Sequence, residues 1–120
     1  MIPKLNEALA LVEGGEPLPG LEIDVQQTSN WVEQKYGWKP WCLVRDWAIL
    51  TVEGLDRPLL FAECVVYDSA GRFAPGDWVR SSPAVTEPEN GVFETRATVY
   101  VLQGPGHARR VSPAAILALR

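Results

Sequence analysis

The chain has one histidine, His107, and two cysteines, Cys42 and Cys64, so its most reactive side chains are few. A thiolate paired with an imidazole would serve nucleophilic chemistry, but neither cysteine lies in a nucleophile motif and nothing in the spacing joins either one to His107. Metal binding is disfavoured for the same reason. The three residues fall in separate segments, without the paired C-x-x-C or H-x-x-x-H spacing that ligands show. Gly104-Pro105-Gly106 lacks the Lys-Ser/Thr ending of a phosphate loop, so no nucleotide, metal or other cofactor is implied. Among the carboxylates, Asp68 and Asp77 flank turns, where an acidic side chain bonds the backbone. Glu63 is different, because it interrupts an otherwise apolar run and must either pair with a cation, Arg45 or Arg96, or face a polar cleft.

Tryptophan gives the second pattern. Trp31, Trp38, Trp41 and Trp47 crowd one stretch, with Trp78 further on. Such clustering suits a base- or sugar-stacking platform or an aromatic anchor for a protein partner. Trp31 and Trp47 are flanked by apolar residues and are expected to pack inward. Trp38 and Trp41 bracket Lys39-Pro40 in a turn, where burying both rings is harder, and they are the leading contact candidates. His107, Arg109 and Arg110 join them as candidate partner-binding residues, since arginine suits bidentate contact with carboxylate or phosphate.

These side chains need a scaffold. With 120 residues, 47% apolar and 22% charged, the chain is sized for one core and one domain, and disorder or a fibrous repeat is excluded. Leu5, Ala8, Leu9 and Val12 mark a helix over Pro3–Val12, stopped by Gly14-Gly15. An extended linker follows, with Leu21–Val25 alternating as a short edge strand, and then a second helix with Asn30 as N-cap, Glu33 as its capping-box partner and Gly37 at the C-terminus. From Trp41 the pattern is β: strands over Trp41–Val52, Leu59–Tyr67, Asp77–Ser82, Val92–Leu102 and His107–Val111 are separated by glycine- and proline-bearing turns. Ser112-Pro113 opens a short C-terminal helix that docks Ile116, Leu117 and Leu119. The expectation is an α+β fold in which residues 1–37, with two short N-terminal helices, pack on about five antiparallel strands forming a strongly curved sheet or small barrel. No crossover helix separates the strands, which argues against parallel pairing.

The order of Tyr67, the Asp68–Gly71 turn and Pro75-Gly76-Asp77-Trp78-Val79 resembles the loop-to-strand passage of SH3-like barrels over about twenty residues. The chain as a whole, and Glu94–His107 in particular, is similar to small uncharacterised proteins of proteobacteria and their prophages. That resemblance implies a cytoplasmic bacterial or phage setting and an accessory, host-interaction or defence role. It supplies no catalytic residues.

Charge sharpens the functional choice. The net −4 and pI near 4.9 weigh against broad attraction to nucleic acid or anionic lipid. All of the imbalance sits in residues 1–36, whereas residues 37–120 balance to zero and the last fifty carry +2, all of their bases arginine. The start of the chain lacks the pattern of a signal peptide, and the longest apolar run, Trp47–Val52, is far shorter than a bilayer span, so a cytoplasmic location with reduced thiols is expected. The expected function is a small non-enzymatic module that binds another protein, in an accessory or inhibitory capacity. The alternative is a nucleic-acid-binding barrel using Arg72, Arg80, Arg109, Arg110 and the tryptophans. An enzyme using Glu63, His107 or a cysteine is the third and weakest reading. A homodimer through the Leu21–Val25 edge or the C-terminal helix is also open.

Overall fold

The aromatic and branched run from Trp41 to Val52 is one long strand, and the rest of the chain is arranged along it. A computed structural model describes residues 14–117; the helix expected over Pro3–Val12 and the terminal Leu119 lie outside them. In chain order the elements are β1 (Gly14–Leu18), α1 (Val25–Tyr36), β2 (Trp41–Val52), β3 (Leu59–Asp68), β4 (Val79–Arg80), β5 (Val92–Glu94), β6 (Val99–Leu102), β7 (Gly106–Val111) and α2 (Pro113–Leu117).

These strands form one mixed sheet in the order β1-β7-β2-β3-β4, with β6 also on β2 and β5 on β6. The α+β reading with five antiparallel strands and two N-terminal helices is therefore corrected: the described residues are mostly β, with α1 the only helix among them longer than α2. The sheet is open, so the SH3-like barrel is corrected as well. Parallel pairing arises without a crossover helix because β3, β4 and β5 themselves make the crossover. One edge of β2 pairs antiparallel with β3; the other pairs parallel with β6 at Trp41–Val44 and with β7 at Ala48–Val52.

Local chemistry accounts for the boundaries that moved. Helix α1 starts earlier than expected, because Asp24 is its N-cap. The Asp24 carboxylate accepts from the Gln27 amide at 2.8 Å, and the Gln27 side chain accepts in return from the Asp24 amide at 3.0 Å. Asn30 lies inside the helix and accepts from the Gln26 side chain. Gly14 and Gly15, expected to stop a helix, lie in β1; Leu21 makes only an isolated bridge to Gln103, so no edge strand covers Leu21–Val25. The run Val92–Leu102 is a hairpin, β5 and β6, because Thr95 folds it back: its hydroxyl accepts from the Thr98 amide at 3.1 Å. The strand expected over Asp77–Ser82 shrinks to Val79–Arg80. At the C-terminal side the cap is as expected, with the Ser112 hydroxyl accepting from the Ala115 amide at 3.3 Å. Ile116 docks, while Leu117 is exposed.

Burial follows the alternation of the strands, with a slip in the middle. Cys42, Val44, Trp47, Leu60, Ala62 and Val65 share one core. On the opposite face, Trp41 and Leu43 pack with Val32 of α1, and Ala48, Leu50, Leu59 and Phe61 pack with Ile116 of α2. Val44 and Trp47 are three residues apart yet bury on the same side, as are Ala62 and Val65, so the period-two pattern breaks at Arg45-Asp46 and at Glu63-Cys64. Asp46 has φ of 53°, and on the neighbouring edge β6 gives way to β7 at Gln103–Pro105. A line of irregular backbone thus crosses the sheet, and the face bearing α1 and α2 is left open between them.

Candidate functional site

Among the described residues, two concave regions bear on the candidate residues. The first is where α1 meets the start of β2. Gly37 ends α1 with φ of 62°, a left-handed conformation that glycine adopts without penalty, and the next residues are fixed one by one. The Lys39 ammonium donates to the Glu94 carboxylate at 2.7 Å and to the Thr95 carbonyl at 2.6 Å. The Pro40 carbonyl accepts from the Val99 amide at 2.9 Å, and the Trp41 amide donates to the Ser69 hydroxyl at 2.8 Å. Just before these anchors, after Gly37, Trp38 projects into solvent with 88% of its surface exposed. Beside it run two adjoining hollows of about 430 and 320 Å³ that share Glu33, Trp41 and Ser69 in their walls. Trp41 is only 3% exposed and forms the floor, its ring 5.4 Å from that of Tyr67, which is 42% exposed.

Trp38 and Trp41 are thus brought together, in different roles: an exposed anchor and a buried base. Trp31 packs against the apolar cluster under α1 and meets Tyr36 edge-on at 6.3 Å, while Trp47 is core, as expected. Glu33, Tyr67 and Ser69 complete the groove. Glu33 was legible only as a capping partner, and it accepts from the Ser29 hydroxyl at 2.8 Å. Nothing in the spacing of Tyr67 and Ser69 brings them to Trp41; the β2–β3 register does.

The second region is a cleft of about 430 Å³ at the irregular line, with walls from Trp47, Phe61, Glu63, Asp46, His107 and Arg109 among others. His107 pairs with Ala48, seven residues along β2 from Trp41, which separates this cleft from the groove by roughly 23 Å of strand. The candidate residues therefore divide: Trp38 and Trp41 in one place, His107 and Arg109 in another. Arg110 is exposed and alternates away from them on β7. Glu63 faces the cleft; among the described residues the ion pairs are Lys39–Glu94 and Arg72–Asp68, so the expected bridge to Arg45 or Arg96 is absent there.

A third polar set is structural. The Asp68 carboxylate is fully buried and accepts from the Arg72 guanidinium at 2.7 Å and 3.0 Å, from the Arg72 amide at 2.7 Å and from the Phe73 amide at 3.3 Å. Burial opposes its charge, but the Arg72 bonds and charge outweigh that and hold its carboxyl below the usual range. Arg72 also donates to the Thr98 hydroxyl at 2.7 Å. Under this set lies Cys42, whose thiol is pushed up to about 12 by burial and then by the Asp68 charge, so it is no nucleophile at neutral pH. Both cysteines are free thiols, Cys42 buried and Cys64 half-buried. No group of histidine, cysteine and carboxylate side chains suited to a metal occurs among the described residues. No helix there is long and apolar enough to cross a membrane.

A family model described as Domain of unknown function (DUF6957) matches residues 19–118. The chain belongs to that family. The match begins just after β1, so the DUF6957 domain takes in α1 through α2, all of the groove and nearly all of the cleft. No curated protein and no solved structure matches significantly. Neither the DUF6957 description nor the geometry of the two regions indicates an enzymatic activity.

Proposed function

We propose that this DUF6957 domain is a protein-binding module whose contact surface centres on Trp38. The observation that carries the reading is an indole 88% exposed in the turn from α1 to β2, followed at once by Lys39, whose ammonium is held by Glu94 and the Thr95 carbonyl and whose amide donates to the Tyr36 carbonyl at 3.4 Å. Exposing a large ring forgoes about 2–3 kcal/mol of apolar burial that a partner's pocket would recover. Binding is helped further when the anchor is already fixed, because less side-chain and loop freedom is lost on association. Tyr67 and the Trp41 floor extend the contact, and Glu33 supplies a carboxylate at the rim. This is the arrangement of a hot spot: one aromatic anchor, a desolvated base and a polar border.

The nucleic-acid alternative has less support. Arg72, one of the four arginines on which it rests, directs its guanidinium to Asp68 and Thr98, and Lys39 is held by Glu94. The deciding experiment isolates stoichiometric partners of the tagged chain from lysate, purifies the identified protein, and measures its affinity for the wild type and for Trp38→Ala. A loss of tenfold or more with Trp38→Ala is expected, in line with alanine scans of aromatic anchors. Undiminished affinity for a verified partner, or salt-dependent binding of oligonucleotides in place of protein, overturns the reading.

A further inference from the structure

We propose that the groove beside Trp38 takes a proline-rich segment of the partner in the extended polyproline II conformation, with a lysine or arginine next to the prolines. This rests on the protein-binding reading above and names the chemistry of the partner.

The groove presents hydrogen-bond donors that nothing in the described chain answers. Its two exposed rings, Trp38 and Tyr67, stand one in each hollow, and neither the Trp38 indole N–H nor the Tyr67 hydroxyl has a partner among the described residues. Trp41 is only 3% exposed and belongs to the wall of both hollows. Its indole N–H also makes no hydrogen bond there, yet no buried side-chain polar atom among the described residues is left unpartnered, so the small exposed part of the ring includes the N–H. Trp47 differs, its N–H donating to the Gly104 carbonyl at 3.0 Å. The Trp41 backbone offers nothing in exchange, because its amide and carbonyl are both engaged with Ser69, at 2.8 and 2.9 Å.

A matching partner brings carbonyls and needs few acceptors in return. A helix uses its carbonyls on its own amides and would leave these donors unmet. An added strand needs a free sheet edge, and β2 at Cys42–Val44 is paired on both sides, by β3 and β6. A polyproline II segment keeps every carbonyl free, and its prolines have no N–H to be stranded under the rings. Its conformation pre-exists, so stacking on Trp38 and Tyr67 orders little. Charge adds the basic residue. Of the two charged side chains in the groove wall, Lys39 is paired with Glu94 at 2.7 Å, whereas Glu33 is exposed and bonded by the Ser29 hydroxyl alone. A cation beside the prolines meets Glu33 as a charge-assisted donor.

The test follows the Trp38 and Trp41 indole N–H resonances of the full isotope-labelled chain during titration with capped peptides: a run of prolines flanked by arginine, the same run flanked by glutamate, and the arginine peptide with alanine for every proline. A linear glucan is the non-peptide arm. Saturable shifts of both resonances are expected with the proline–arginine peptide, weakened about tenfold by alanine for proline and about threefold by glutamate for arginine. Trp38→Phe, which keeps a ring but removes the N–H, should weaken binding about fivefold, and Glu33→Gln should erase the preference for arginine while keeping that for proline. Equal response to the proline and alanine peptides, saturation by the glucan instead, or no saturable response to any peptide overturns the proposal, and these arms need no variant. The protein-binding reading is judged separately, by the affinity of Trp38→Ala for the purified partner. A partner that needs Trp38 but docks through a segment without prolines overturns only the polyproline assignment.

Discussion

Trp38 and Trp41 are three residues apart and face opposite energetic situations. Trp38→Ala removes a ring that touches mostly water, so stability should change by less than about 0.5 kcal/mol while partner affinity falls; Trp41→Ala empties a core position and should cost about 3–5 kcal/mol in urea unfolding. Cys42 gives a chemical test at the same scale. With its thiol pushed up to about 12, it should resist iodoacetamide at pH 8 in the native chain and alkylate only once denaturant is added, as peptide mass mapping would read. Asp68 adds a pH dependence whose sign is fixed. Its folded carboxyl lies below the unfolded value, so its contribution is fully present above about pH 4 and is lost as pH falls through the depressed folded value. Asp68→Asn should therefore lower stability by about 2–3 kcal/mol at pH 7, with a smaller deficit near pH 2, measured by urea unfolding at both values. An equal deficit at both would mean that the carboxylate's charge is not what matters.

At the scale of elements, capping gives the cleanest contrast. Asp24→Ala removes the side-chain half of the box at α1, the bond accepted from the Gln27 amide, and should cost about 1 kcal/mol, whereas Asn30→Ala, the cap suggested by local pattern, should be nearly neutral by thermal unfolding. The reason for the discrepancy is general: Asp24-x-x-Gln27 and Asn30-x-x-Glu33 are equally good boxes in isolation, and what favours the first is Thr28, which is fully buried in the added turn and donates its hydroxyl to the Asp24 carbonyl at 2.6 Å. The strands β2, β3 and β7 were legible because their apolar content and turn residues are local. The hairpin at Thr95–Thr98 was not, since neither glycine nor proline marks it. Parallel pairing of β6 and β7 with β2 was illegible for a related reason, as it joins residues nearly sixty apart that carry no shared local signal. The groove was half visible, in Trp38 and Trp41; Tyr67 and Ser69 reach it only through strand register. The chain's best-marked oddity, Glu63 within an apolar run, was expected first to pair with Arg45 or Arg96 and only otherwise to face a cleft; it lines the cleft, and the facing Asp46 depends on pairing that no spacing reveals.

For the whole molecule the question is whether groove and cleft sit on one body or two. The groove uses the first residues of β2 and the cleft its middle, while β6 and β7 succeed each other along the same edge with a break at Gln103–Pro105. If that break separated two units, opening one would leave the other closed. The β2–β3 ladder, which runs from Cys42 opposite Asp68 to Leu50 opposite Leu59 past the break on the other edge, with a bulge between Leu43 and Val44, argues that it does not. Ala108→Pro tests this, since Ala108 pairs with both Ile49 and Glu16, and a proline in an interior strand loses a ladder bond and costs about 3 kcal/mol or more. Pro17 is tolerated on β1 because that strand lies at the sheet's edge. In native-state hydrogen exchange, the β2 amides from Leu43 to Leu50 should lose protection together in Ala108→Pro, by the same free energy at both ends of the strand. Loss confined to Ala48–Val52, with Leu43 and Val44 still protected, would instead make the irregular line a hinge between two separately opening parts of the sheet.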